Sequence, residues 1–164
     1  MDINFLEFMI ENAFSAKSSI HGPKHWEDVL LNGLYLSNFT DADVEIVKYF
    51  SCLHDSQRVD DFNDFGHGLR ASDFARNHRE KFDLTDDQFE VLLKACAEHT
   101  DGFHTDCPTI GTCWDSDRLD LIRVGFKIDS KFLHSQEAKR IADNEDFDDL
   151  NKFKQRMVES LYDN

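Results

Sequence analysis

The sequence predicts an all-α fold built as a single domain. Only 7 Gly and 2 Pro occur in 164 residues, which leaves few turn signals for a many-stranded sandwich or barrel. Along most of the chain, apolar residues recur every three or four positions, as on the buried face of a helix. With 15 Phe and 40% hydrophobic residues, the chain has enough bulk for its own core. We find no repeat and no Gly-, Ser- or Pro-rich linker, so residues 1–164 are taken as one domain.

The first three helices are predicted from apolar spacing and from their start signals. Residues 1–14 form an amphipathic helix, and Pro23 suits the first turn of the second helix. Thr40 and Asp43 resemble a capping box in which Asp takes the acidic role. The helix that follows, residues 42–55, is apolar on nearly all sides, which places it at the centre of the protein.

The second half of the chain continues the helical pattern. Residues 56–65 are polar and rich in Asp, so they are predicted to be an exposed loop. Thr85 and Gln88 form a capping box, and residues 100–113 are predicted to be a long loop. Further helices are predicted over residues 67–82 (Leu69, Phe74 and Phe82 inward), 85–100 and 114–125, and two more follow Ser135. The last helix carries the apolar stripe Phe147, Leu150, Phe153, Met157 and Leu161.

Charge and cysteine content limit the classes of partner. Lys and Arg number 18 and Asp and Glu number 33, so the formal net charge is −15. This charge repels nucleic-acid polymers and anionic membranes, and neither is expected as a partner. No stretch reaches the length of a membrane span, and the N-terminus does not resemble a secretory signal. The four Cys form no CxxC, which favours a reduced cytoplasmic protein; the oligomeric state is left open.

The histidines supply the chemical signal. His54 ends the all-apolar helix and is followed at once by Asp55. An ionised carboxylate beside an imidazole at a buried helix end is costly unless something compensates it. A divalent cation compensates both groups, whereas a lone buried His is more often a hydrogen-bonded core residue. The order of the residues along the chain supports a metal site. His25 precedes the His54-Asp55 pair and Asp117 follows it, and each lies on or beside an apolar helix.

This ordered set resembles the HD-domain metal-dependent phosphohydrolases. The resemblance covers about residues 21–124, and its motifs are HWEDVLLNG, CLHDS and DSDRLDL. It implies a helical bundle of the HD-domain type, with its core at about 21–124 and C-terminal covering helices at about 135–163.

The resemblance also implies the ligands of a divalent metal ion: His25, His54, Asp55 and Asp117. His25 is preferred although His21 lies only four residues away. Asp117 is preferred because the Asp of the family precedes a basic residue and Leu. Asp115 and Asp120 are expected to face solvent or to support a ligand from behind. Mn, Mg, Fe, Co, Ni and Zn are not distinguished.

His67 and His99 stand where some members carry ligands for a second ion. The resemblance then implies one or two ions, with Asp55 bridging the pair. Alternatively, these two histidines bind substrate phosphate or cap helices. His78, His104 and His134 match no family position and are expected on the surface.

The implied activity is hydrolysis of a phosphomonoester or phosphodiester, on a nucleotide or another small phosphorylated compound, through a metal-activated water. The predicted catalytic residues are Asp55, His67, His99 and Arg70. Arg70 would bind the phosphate as a fork, with Lys24 and Arg58 as alternatives. Arg58-Val59 replaces the Glu-Asp pair of alarmone hydrolases, and the Gly-Tyr-Pro segment of cyclic-dinucleotide members is missing, so both activities are disfavoured. Extra acids of the nucleotidase kind could be Asp60, Asp61 and Asp64.

Two other functions remain open on the sequence. The same six-ligand set holds two irons in oxygenases that share this fold, so the sequence does not separate hydrolase from oxygenase. The third alternative is a non-catalytic nucleotide-binding regulatory module, which the full ligand set disfavours.

Overall fold

The computed structural model describes residues 3–162, with side chains through residue 160. Over this range eight α-helices and short 3-10 turns form the fold, with no strand among the described residues, which confirms the all-α prediction. None of the described helices is long and apolar enough to cross a bilayer. The helices are α1 (Ile3–Asn12), α2 (Pro23–Leu36), α3 (Val44–Leu53), α4 (His67–Asn77), α5 (Asp86–Glu98), α6 (Pro108–Asp120), α7 (Gln136–Asn144) and α8 (Asp148–Tyr162).

Helix α3 lies at the centre of the bundle, as its apolar sequence predicts. It contacts α1, α2, α4, α5 and α6, and the side chains of Phe50 and Leu53 are fully buried. Asp43 caps the helix by accepting a hydrogen bond from the Glu45 amide. The expected role of Thr40 in that cap is wrong, because its hydroxyl bonds the Leu36 carbonyl and meets Thr112 instead.

Helices α4 and α5 pack closely against each other. Thr85 and Gln88 form the predicted capping box at the start of α5. Leu69, predicted to face inward, is 57% exposed. Small residues of α4 occupy the buried face instead, including Gly68 and Ala71, so the larger Leu side chain points outward.

Helix α6 begins earlier than the sequence predicts. The expected loop over residues 100–113 ends at Cys107, because Pro108 occupies the first turn of α6, where its missing N–H costs nothing. Ile110, Cys113 and Trp114 are buried. This helix is buried on nearly all its sides, polar residues included, so it shows no amphipathic period that would reveal its start.

The two C-terminal helices pack over a second apolar cluster. Leu36, Leu119, Ile141 and Leu150 are almost fully buried in it, and α8 packs along α2. The stripe on α8 is buried only at its start, and the side chain of Leu161 lies outside the described residues.

Candidate metal centre

The predicted ligands come from the ends of five helices. His25 lies in the first turn of α2 and His67 begins α4, while His54 and His99 follow the last residues of α3 and α5. Asp117 lies in the last turn of α6. The chain turns sharply after His54, so that His54 and Asp55 face the same centre although consecutive residues on a helix point about 100° apart.

Four of these side chains surround one point, which we call the first subsite (His25, His54, Asp55 and Asp117). The Nε2 atoms of His25 and His54 lie 3.2 Å apart. Asp117 Oδ1 is 3.3 Å from the first of these nitrogens and 3.6 Å from the second. Asp55 Oδ2 completes the group, 3.6 Å from His25 Nε2 and 3.7 Å from His54 Nε2.

The other oxygen of Asp55 faces a second subsite (His67, His99 and Asp55). Asp55 Oδ1 lies 3.0 Å from His67 Nε2 and 3.4 Å from His99 Nε2. The two imidazole nitrogens are 2.9 Å apart. Asp55 therefore stands between the two subsites and offers one oxygen to each.

The imidazoles are held from behind in a way that presents Nε2 to the centre. The Nδ1 atoms contact acceptors on the far side of each ring. For His25 the acceptor is Asp120 Oδ2, at 2.7 Å. For the other three rings it is a backbone carbonyl: that of Phe50 for His54 (3.1 Å), of Asp64 for His67 (2.6 Å) and of Cys96 for His99 (2.7 Å). An acceptor at Nδ1 keeps a proton on that nitrogen, so Nε2 is the nitrogen left to bind a cation, as in metal-ligating histidines.

The donor set fits one or two divalent cations. An ion with bonds of about 2.1 Å separates its ligand atoms by roughly 3.0 to 3.4 Å in octahedral or tetrahedral geometry, which is close to the spacing in both subsites. Asp55 is 3% exposed, and its Oδ1 has no hydrogen bond of acceptable geometry. A buried carboxylate oxygen of this kind is costly without a cation, and imidazole with carboxylate suits first-row divalent metals.

The same arrangement shifts the pKa values of Asp55, Asp117 and His25. Burial raises the pKa of Asp55, but the surrounding imidazoles outweigh it and hold that pKa well below the usual range. The pKa of Asp117 is likewise held low, because His25 and His54 outweigh the effect of burial. Burial lowers the pKa of His25, yet the hydrogen bonds to Asp117 and Asp120 raise it to about 10.

This pKa predicts how the stability of the metal-free protein depends on pH. Because the folded pKa of His25, about 10, lies above the ordinary 6.5, protonation of His25 favours the folded state. That contribution is complete below pH 6.5 and is lost as the pH rises through about 10. Urea unfolding of the chelator-treated protein between pH 6 and 10 should show a decline that is smaller in His25→Gln. An equal decline in both proteins would contradict the assignment.

An open cavity of about 240 Å³ leads to the first subsite. Three arginines line it, Arg58, Arg118 and Arg123. The Arg58 guanidinium lies 3.1 Å from His67 Nε2 and 3.5 Å from Asp55 Oδ1. Asp55, Asp117 and Asp120 line the same cavity, so the three arginines offset these carboxylates, and a cation bound at the cluster would tip the local charge in favour of an anion.

The structure places Arg70 outside this cavity, which corrects the expectation that it faces the phosphate. Arg70 Nη2 donates to both carboxylate oxygens of Asp64 at 2.6 Å, and its Nε and Nη2 donate to the Gln57 carbonyl. Its guanidinium therefore holds the loop between α3 and α4 in place. Lys24 pairs with Glu27 and Asp28 on the exposed side of α2.

The loop acids organise the backbone. Asp60 accepts from the amides of Phe62 and Asn63, and Asp61 accepts from the Ser18 hydroxyl. Together with the role of Asp64 described above, these contacts explain the cluster of acids without catalysis.

Two further residues support the ligands: His21, which the sequence analysis did not select, and Asp120, which it expected either in solvent or behind a ligand. His21 Nδ1 lies 2.7 Å from Asp55 Oδ2, so it adds a fifth imidazole to the cluster. Asp120, allowed for as a support, binds His25 from behind and also accepts from Arg123. Spacing carries the signal for both, because Asp120 is three residues after Asp117 and His21 is four before His25, as for neighbours on one helical face.

The remaining acids and histidines lie elsewhere. Asp115 is fully buried and accepts from the amides of His134 and Ser135, so it supports the start of α7 rather than the site. His104 is exposed, as expected. His78 and His134 are only partly buried, the latter packed against Gly111.

Comparison with protein-family models, with curated proteins and with solved structures gave no match to this chain. The chain is an all-helical protein with a buried His and Asp cluster compatible with a metal site.

Proposed function

We propose that this protein is a divalent-metal-dependent phosphohydrolase with a helical bundle of the HD-domain type, acting on a nucleotide or another small phosphate ester. One observation carries the proposal. The buried carboxylate of Asp55 directs one oxygen to each of two groups of imidazoles, and an arginine-lined cavity opens beside it. A cation-binding cluster beside positive side chains is the arrangement that binds and polarises a phosphoryl group.

The residues have separate parts in this proposal. The first subsite would hold one cation through His25, His54, Asp55 and Asp117, and the second would hold another through His67, His99 and Asp55. A divalent cation bound there supplies Lewis acidity and a water of lowered pKa. Asp120 keeps the His25 ring oriented. The positive charge of Arg58, only 12% exposed at its side chain, favours the bound phosphate.

The proposal is tested with chelator-treated protein that is reloaded with Mn²⁺, Mg²⁺, Co²⁺ or Fe²⁺. Release of inorganic phosphate from a panel of phosphomonoesters and phosphodiesters is measured. We expect turnover with at least one cation and none after chelation. Absence of hydrolysis over the whole panel would contradict the proposal. Two tightly held irons and consumption of dioxygen would instead support the oxygenase, and nucleotide binding without metal uptake would support the regulatory module.

The two arginines provide a matched comparison. Arg58→Gln should raise KM for phosphate esters roughly 10-fold or more, because a charge-assisted hydrogen bond of about 1.5–3 kcal/mol is lost at the cavity. Arg70→Gln should affect KM much less and should loosen the loop, which limited proteolysis would detect. A larger rise in KM in Arg70→Gln than in Arg58→Gln would assign the phosphate contact to Arg70.

A further inference from the structure

An apolar groove of about 320 Å³ continues from the cavity that leads to the first subsite. Thr100, Arg118 and Leu121 line both the cavity and the groove. The two spaces therefore meet along shared side chains, and a molecule bound at the subsite can extend into the groove.

Aromatic side chains form the outer walls of this groove. Phe103 and Phe132 line it with ring centroids 5.6 Å apart, and Phe126 lines it as well. Phe103 is 68% exposed and Phe126 is 64% exposed. Single exposed aromatic rings are common in this chain, but here three of them line one groove beside a polar site, which is the arrangement of an apolar ligand-binding surface.

Arg118 ties the walls of the groove together. Its guanidinium donates to the carbonyls of His99, Gly102 and Phe132. It therefore joins the loop that carries Phe103 to the turn that carries Phe132. Since Asp117 is the preceding residue, the groove has a fixed position relative to the first subsite.

We infer that the groove receives the leaving group of the substrate, and that this leaving group carries a flat aromatic ring. The inference rests on the proposed function, because the phosphate end is placed at the cation cluster. A flat ring can stack on the exposed face of a phenylalanine side chain such as Phe103, which needs no particular hydrogen-bonding pattern. A purely alkyl or sugar phosphate would leave the phenylalanines in water.

The test compares 2-phenylethyl phosphate with ethyl phosphate, and adenosine 5′-monophosphate with ribose 5-phosphate. Within each pair only the first compound carries an aromatic ring. We expect kcat/KM to favour the aromatic member of at least one pair by roughly 10-fold, the scale of one stacked ring. Preference in the first pair alone indicates a simple arene, and preference in the second indicates a nucleobase.

Phe103→Ala should reduce this preference to about 1, whereas Phe39→Ala should retain it. Phe39 is a matched control, because it is 56% exposed and follows the opposite end of α2 from His25. Equal kcat/KM within both pairs, or equal preferences in the two variants, would overturn the inference and leave the phosphohydrolase proposal standing.

Binding separates the failure of the inference from that of the proposed function. 2-Phenylethylphosphonate and ethylphosphonate contain no ester to hydrolyse, and calorimetry in the presence of Mn²⁺ compares their affinities. Tighter binding of the aromatic compound, lost in Phe103→Ala, supports the groove even if no ester is hydrolysed. Equal affinities, or no binding of either compound, would overturn it.

Discussion

Asp55→Ala is expected to remove most of the metal uptake and nearly all of the hydrolysis. The variant removes the only side chain that offers an oxygen to each subsite among the described residues. Loss of an outer support for a ligand already costs roughly 10–100-fold in affinity or activity. Loss of a shared ligand should cost more, so the residual rate should fall below one hundredth of that of the wild type.

The measurement pairs metal content with initial rates. Asp55→Asn serves as a second variant, because it keeps the shape of the side chain and removes its charge. Circular dichroism establishes that the helices remain. Wild-type turnover in Asp55→Ala would reject the assignment of the site.

Gly68→Ala is expected to disable the second subsite and to spare the first. A Cβ at this position would lie 2.3 Å from the Cys96 carbonyl oxygen and 2.9 Å from His99 Nδ1. These two atoms form the hydrogen bond that orients His99. Because the carbonyl belongs to the backbone of α5, α4 must move away, at a cost of about 1–3 kcal/mol for overpacking.

Metal analysis and chemical denaturation read out the two effects. If the wild type binds two ions per chain, Gly68→Ala should bind one, with lower stability. If His67 and His99 bind phosphate instead, the metal content should stay constant and KM for phosphate esters should rise. Asp73→Ala, at an exposed position of the same helix, should change neither quantity. Wild-type metal content together with wild-type KM in Gly68→Ala would contradict this account of His99.

Much of the helical architecture could be read from local patterns. The central position of α3 follows from a segment that is apolar on nearly all sides, because such a helix has no face to offer to water. The start of α5 follows from Thr85 and Gln88, whose mutual hydrogen bonds depend on three-residue spacing alone. The sequence did not predict the start of α6. Its polar residues are buried along with its apolar ones, so polar and apolar positions do not alternate with the helical period.

Local sequence patterns predicted only part of the candidate site. The order of His25, His54, Asp55 and Asp117 singles out candidates, since each stands beside an apolar helix. The sequence could not predict which arginine faces the cavity. The three-residue spacing places Arg70 and His67 on one helical face, but it does not show that the Arg70 guanidinium is bound by Asp64.

The sequence by itself determined the helical class and the order of the candidate metal ligands along the chain. These properties follow from composition and from spacing over a few residues. Only the tertiary structure decided that Asp55 stands between two groups of imidazoles, that each Nδ1 meets an acceptor, and that an aromatic groove adjoins the site. Those facts depend on how five helix ends meet, and contacts between residues up to 95 positions apart, such as His25 with Asp120, are set by packing rather than by any local pattern.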